Sequence, residues 1–227
     1  MSVNFRIIAI DGPAAAGKGT LARALAKHFG FAYLDTGALY RAVGLSVLRA
    51  GGDPADTRAA IAAAEALDDS LLDDPALRSE EAGRAASIVA AMPEVRTKLL
   101  EFQRKFANEP PGGLPGAVID GRDIGSVVCP QAEVKIFVTA SAETRARRRT
   151  DELEERGESA DFGAVLADIQ ARDARDEARS TSPLIKAEDA LLLDTSNLDI
   201  EGAFRAALDS VNRAQDILDA KDRVESE

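Results

Sequence analysis

Apolar positions along this chain follow two alternating patterns. Short apolar runs, FRIIAID near residue 5, FAYLD near 31, GAVID near 116, VKIFVTA near 134 and ALLLD near 190, are separated by longer stretches with helical periodicity. The runs have the length and β-branched content of strands, and four of them end in or near an Asp that marks the strand's carboxyl end. Strands alternating with helices predict βαβ units, hence an α/β fold with a five-stranded parallel sheet flanked by helices. In open sheets of this kind ligands sit beyond the carboxyl ends of the strands.

The spacing is uneven between the second and third runs. The segment from about Ala38 to Glu109 carries only helical patterns and turn signals: Gly51-Gly52-Asp53-Pro54 breaks one helix, Asp73-Asp74-Pro75 starts another, Met92-Pro93 breaks again, and Pro110-Pro111-Gly112-Gly113 returns the chain to the sheet. A helical insert is therefore expected over about 53–106. A second insertion, an Arg-rich helical hairpin with Gly157 near its tip, is expected over about 142–179. Both insertions lie within one domain spanning 1–227, and the terminal ESE is expected to fray.

Composition narrows the function. At 45% hydrophobic and 30% charged residues the chain is an ordinary globular protein, and its net charge of −11 argues against a nucleic-acid partner. The single cysteine, Cys129, makes no disulfide framework and reads as a buried thiol. His28, the sole histidine, sits before a terminating glycine, where a basic residue favours a helix C-terminus. With one His and one Cys, a zinc site of the usual ligands is excluded. The N-terminal apolar run is too short to span a membrane and enters Asp11-Gly12 without a cleavage signal, so a cytoplasmic protein is expected.

The strongest chemical signal is GPAAAGKGT, formed by Gly12, Pro13, Ala14, Ala15, Ala16, Gly17, Lys18, Gly19 and Thr20. It follows a predicted strand and opens a predicted helix. Glycines free backbone N–H groups to curl around a phosphate, the helix N-terminus adds positive potential, and Lys18 reaches the β- and γ-phosphates. Gly19 takes the position where many such loops place a hydroxyl, and this G-K-G-T variant is the one expected of nucleoside monophosphate kinases. The loop alone does not name the acceptor; a nucleotide hydrolase or switch GTPase shares it, although no N-K-x-D guanine-reading segment is present. An RNA-binding role for the Arg hairpin is the other reading, and the net charge opposes it.

Three further clusters are expected at the sheet's carboxyl edge. In DTGALYR, Thr36 supplies a hydroxyl and a helix N-cap, and Arg41 points to the same edge. In DGRDIGS, Arg122 can fork onto a phosphate and Asp123 can accept from a sugar hydroxyl. In the hairpin, Arg172, Asp176 and Arg179 recur at i, i+4 and i+7, on one helical face. Among Arg147, Arg148 and Arg149, consecutive residues that cannot all face one way, spacing does not choose the one that acts.

Together these pieces resemble bacterial cytidylate kinases, P-loop nucleoside monophosphate kinases. The resemblance runs from about Phe5 to Asn212 and is carried by IAIDGPAAAGKGT, YLDTGALYR, AASIVAAMPEVR, DGRDIGSVVCP, VKIFVTAS and RDARDEARSTSPL. It implies a P-loop kinase fold with a monophosphate-binding insert and an Arg-rich lid. It also implies transfer of the γ-phosphoryl group of ATP to CMP, and to dCMP, with Mg²⁺, in a monomer. Another acceptor such as UMP or AMP is the alternative within the class. By resemblance, residues 12–20 hold ATP, and Thr36, Arg41, Arg122 and Arg172 hold the acceptor phosphate. Ser87, Arg96 and Asp176 read the cytosine, Asp123 contacts the ribose, and Arg179 helps bind the nucleotide and close the site. Lys18, Arg122, Arg172 and one of Arg148 or Arg149 stabilise the transferring group; Thr20 is a candidate support for the metal, whose protein ligand is left unassigned. The chain departs from many relatives at LDDSLLDDPALRSEEAG, where their small antiparallel sheet is replaced by a short acidic stretch. A shortened insert that closes loosely is the expectation.

Overall fold

All five apolar runs form strands: β1 (Ile7–Asp11), β2 (Ala32–Asp35), β3 (Ala117–Gly121), β4 (Val134–Thr139) and β5 (Leu191–Asp194). The computed structural model describes residues 5–179 and 182–225. Every strand pairing is parallel and the order is β2-β3-β1-β4-β5. The chain leaves central β1 for the β2 edge, returns through β3, then crosses to β4 on the other side. That reversal opens a crevice at the carboxyl end of β1. The register aligns the acidic strand ends across it: Asp35 lies beside Asp120, and Asp11 beside Gly121.

Alternation along the strands fills two cores. Ile8, Ile10, Val118, Ile136 and Val138 face α1 (Lys18–Phe29) and α8 (Ile200–Glu225), with Phe5, Phe29 and Phe31 in edge-on or tilted ring contact at one end. Ile7, Ala9, Leu34 and Ile119 face the opposite way, with Cys129 buried among them. Burial pushes the Cys129 thiol up to about 11, so it stays an inert thiol. His28 lies in the last turn of α1, its ring edge-on to Phe29.

Between β2 and β3 the chain is helical: α2 (Thr36–Arg49), α3 (Thr57–Glu65), α4 (Glu80–Val89) and α5 (Pro93–Asn108), with no strand among the described residues. The Asp73-Asp74-Pro75 signal starts only a short 3₁₀ turn, Pro75–Arg78; α4 begins later, behind the Ser79 cap. The acidic stretch lacks a strand yet packs its apolar residues, with Leu77 buried against Ala42 and Leu45 beside Leu67, Leu71 and Leu72. α2 and α4 approach closely at Gly44, where an added Cβ would stand 2.7 Å from the Ala85 Cβ.

The Arg-rich hairpin is α6 (Ala142–Glu155) and α7 (Phe162–Glu177), capped by Ser141 and Asp161, with Gly157 at φ 77° in the turn. Ser180 and Thr181 of the RSTSPL segment, and Ser226 and Glu227 of the terminal ESE, lie outside the described residues. Among the described residues no helix is long and apolar enough to cross a membrane.

Candidate active site

The phosphate loop is fixed by backbone constraints that its sequence satisfies. Gly12 holds φ 145°, and a Cβ there would lie 1.9 Å from the Val138 carbonyl oxygen, so no side chain fits. Ala15 takes a left-handed φ of 57°, and Gly17, at φ 84°, ends the loop. α1 starts at Lys18 with no side chain capping its N-terminus, which leaves first-turn N–H groups for an anion. Lys18 is buried and its Nζ donates to the Pro13 carbonyl at 2.9 Å. Burial, reinforced by the Arg122 charge, lowers its pKa, while Asp120 and Asp35 oppose the shift. Ala14, Ala15, Lys18 and Gly19 line the cavity described next; Thr20 is exposed on α1.

That cavity, of about 220 Å³, opens at the carboxyl end of the sheet. It brings together every acceptor residue expected from the sequence. Thr36 and Arg41 come from α2, Ser87 from α4 and Arg96 from α5. Arg122 and Asp123 follow β3, and Arg172, Asp176 and Arg179 come from α7 and its end. One expected role changes: Asp35, not Thr36, caps α2. The Asp35 carboxylate accepts from the Ala38 N–H at 3.2 Å and also pairs with Arg41. Thr36 is the first helical residue, and its hydroxyl donates to the Asp120 carbonyl at 2.8 Å, pinning α2 to β3.

The charged groups pair in a defined order. Asp176 is 1% exposed and takes a guanidinium on each oxygen: Arg122 at 2.9 Å on Oδ2 and Arg179 on Oδ1. Burial alone would raise its carboxyl pKa; Arg122 and Arg179 outweigh that and hold it below the ordinary value, so it is an ionised acceptor. Arg96 pairs with Asp123, donates to the Ala90 carbonyl, and lies over the Tyr40 ring at 5.5 Å. Ser87 Oγ accepts from Arg175 at 3.3 Å. Arg172 differs from the rest: its buried Nε has no hydrogen-bond partner. Burial and the neighbouring Arg122 lower its pKa to about 10, still cationic at neutral pH. A guanidinium Nε left without a partner beside a second cation fits an anion.

The arginine run of α6 divides by direction. Arg148 donates to Thr195 Oγ1 at 3.1 Å and to the Thr195 carbonyl at 2.6 Å, with Nη1 4.0 Å from where a Gly17 Cβ would be. It therefore flanks the phosphate loop. Arg149 pairs with Glu152 away from it, and neither residue lines the cavity. Two residues not singled out from sequence also shape the site. Asp11 is buried and accepts from the Ile124 and Gly125 N–H groups at 2.7 and 2.8 Å, anchoring a turn of π-helix directly after Arg122-Asp123; burial pushes its carboxyl up to about 6. Arg145 is buried and forks onto Asp173 while also donating to the Ala14 carbonyl. An Asp ending β1 just before the loop is a usable signal for the former; nothing in the sequence separates Arg145 from its neighbours.

Oxygen donors suited to magnesium border the loop. Asp35 and Asp120 face the cavity, and burial together with the Asp35 charge raises the Asp120 carboxyl pKa, a setting in which a cation is favourable. Among the described residues no three His, Cys, Asp or Glu side chains converge. Such a donor set fits an ion carried in by phosphates and water, since Mg²⁺ is seldom caged by protein alone.

Comparison with known proteins agrees with this geometry. The cytidylate kinase family profile matches residues 8–213. The cytidylate kinase of Rhodospirillum rubrum is 60% identical over 203 residues, covering 89% of this chain and 95% of the relative. That of Paramagnetospirillum magneticum is 61% identical over 202 residues, with the same coverages. Among solved structures, a gluconokinase from Sinorhizobium meliloti aligns with a TM-score of 0.53 at 13% identity, covering 97% of this chain and 99% of that one, a likeness of fold alone. The chain belongs to the cytidylate kinase family.

Proposed function

We propose that this protein transfers the γ-phosphoryl group of ATP to CMP, and to dCMP, giving CDP or dCDP and ADP. The observation that carries the reading is one cavity lined by both the phosphate-loop lysine, Lys18, and Arg172, whose buried Nε has no hydrogen-bond partner. One cation is placed for a donor phosphate and the other for an acceptor phosphate.

Phosphoryl transfer needs alignment and charge neutralisation more than covalent help. The loop N–H groups and Lys18 hold the β- and γ-phosphates of ATP. Arg41, Arg122 and Arg172 hold the acceptor phosphate, with Thr36 beside them. A bound Mg²⁺ would supply charge neutralisation to the transferring phosphates, and Asp35 and Asp120 on the cavity wall, with Thr20 following the loop lysine as the sequence candidate, would support it. Ser87, Arg96 and Asp176 face the base: an ionised carboxylate only accepts, which suits cytosine's exocyclic amino group, and a guanidinium only donates, which suits its ring acceptors. Asp123 serves the ribose and Arg179 closes the site. The 53–106 insert and the 142–179 lid are the parts that close, excluding the water that would otherwise hydrolyse ATP. Of the lid arginines, Arg148 has the position from which to reach the transferring group, because it already lies against Gly17. A cytoplasmic monomer completes the reading.

Measuring ADP release with and without CMP, alongside CDP formed, tests this. ADP release should depend on CMP and match CDP mole for mole. ADP released at a comparable rate without acceptor would make the protein a hydrolase.

A further inference from the structure

We infer that Arg145 and Asp173 are a positioning pair that couples the phosphate loop to the α7 arm, so that a ligand in one half of the site raises affinity in the other. The inference deepens the reading above, on which ATP and CMP occupy those halves. Arg145 stands in the first turns of α6 and is 5% exposed. One planar guanidinium joins three parts of the fold. Its Nε donates to the Ala140 carbonyl at 3.0 Å, where β4 turns into α6. Its Nη1 donates to the Ala14 carbonyl at 3.3 Å, at the crest of the phosphate loop beside the strained Ala15. Nη1 and Nη2 grip the two Asp173 oxygens at 3.1 and 2.7 Å. Asp173 in turn is the chain neighbour of Arg172 and lies one turn before Asp176, both on the cavity wall.

The geometry separates Arg145 from the other arginines of the run. A guanidinium held by four hydrogen bonds in the interior cannot swing out to a transferring phosphoryl group without abandoning all of them. It acts through what it holds. Filling the phosphate loop fixes Ala14, and through the fork fixes Asp173 and the register of Arg172 and Asp176 toward the acceptor. A lysine could not substitute: an ammonium is a point charge without the fork that spans a loop carbonyl and both carboxylate oxygens at once.

Calorimetric titration of CMP, with and without a saturating non-hydrolysable ATP analogue, reads this coupling directly. In the wild type the analogue should tighten CMP binding about fivefold or more, within the usual range of such couplings, and CMP should tighten the analogue by the same factor. Arg145→Lys and Asp173→Asn should each reduce the factor to below about twofold, because both remove the bidentate fork. Asp173→Asn keeps an acceptor at a partly exposed position, so it decides the matter if Arg145→Lys does not fold. No coupling in the wild type, or undiminished coupling in a folded variant, overturns the pair's role. Failure of the wild type to bind CMP at all would instead remove the function reading, and this inference with it.

Discussion

Gly44→Ala is a small change whose consequence follows from one close approach. Gly44 on α2 faces Ala85 on α4, and an alanine Cβ would lie 2.7 Å from the Ala85 Cβ, 2.9 Å from its carbonyl carbon and 3.1 Å from the Ala86 nitrogen. Carbon atoms rest at about 3.5–4.0 Å, so the helices must part by roughly 1 Å. Both sides of the contact are backbone or its first carbon, so no flexible side chain can yield. Overpacking of this kind costs about 1–3 kcal/mol of stability. The displaced helix carries Ser87 one residue beyond Ala86, whereas the phosphate loop is anchored on β1 and α1. The expected signature is therefore a split. The KM for CMP should rise by about tenfold or more, as a misplacement near 1 Å in a positioned site can cost up to about a hundredfold. The KM for ATP should change by less than about twofold. Steady-state kinetics with each substrate varied in turn, with urea unfolding alongside, measures both. A variant as stable as wild type with an unchanged CMP KM would refute the packing argument, and equal rises in both KM values would refute the assignment of α4 to the acceptor side.

Lys18→Ala should abolish transfer and leave a folded protein, as judged by circular dichroism; near-normal turnover would end the phosphate-loop assignment. Arg148→Ala should lower kcat with little change in the CMP KM, while Arg149→Ala should do little, since its partner is the surface Glu152; equal small effects would remove Arg148 from the phosphoryl transfer. Because burial and Arg122 lower the Lys18 pKa, its charge is lost on the alkaline side sooner than that of a free lysine near 10.4. ATP affinity should accordingly weaken as pH rises from neutrality toward 9, and a flat affinity across that range would contradict it. Amide exchange between Leu67 and Ser87 should slow when CMP binds, and exchange indifferent to CMP would separate that segment from closure.

How far the sequence reached depended on the range of the interaction. The strands could be read because each is a short apolar run stopped by Asp or Gly, and each run feeds a helix with its own turn signal. Their order could not: β1 through β5 present similar apolar faces, and which lies beside which is decided by packing across the sheet. At the α2 start, Asp35 and Thr36 are both competent caps. The carboxylate won because it reaches the Ala38 N–H while the Thr36 hydroxyl is consumed by the Asp120 carbonyl of the next strand. Seven of the nine acceptor residues were readable because they follow strand ends or share a helical face, whereas Ser87 and Arg96, inside α4 and α5, came only from the family resemblance. Asp11 is visible as the Asp ending β1, but its anchoring role is not, since its two N–H partners lie 113 and 114 residues away. The arginine run was readable only as a run. Successive residues turn about 100° around a helix, so Arg145 goes to the interior, Arg148 to the loop and Arg149 to Glu152, and only the neighbouring elements tell them apart.

The central claim is that this cavity phosphorylates CMP because its buried carboxylate and guanidinium match cytosine and oppose uracil. Uracil presents a carbonyl where cytosine presents an amino group, and a buried polar group left unpaired costs about 1–3 kcal/mol. Catalytic efficiency for CMP, UMP and AMP at fixed ATP, measured for wild type and Asp176→Asn, tests it most directly. At about 1.4 kcal/mol per factor of ten, wild type should favour CMP over UMP by roughly tenfold or more, and Asp176→Asn should shrink that ratio because its amide can donate to uracil's carbonyl. Equal efficiency for CMP and UMP in wild type, or a loss of both activities in the same proportion in Asp176→Asn, would contradict the account.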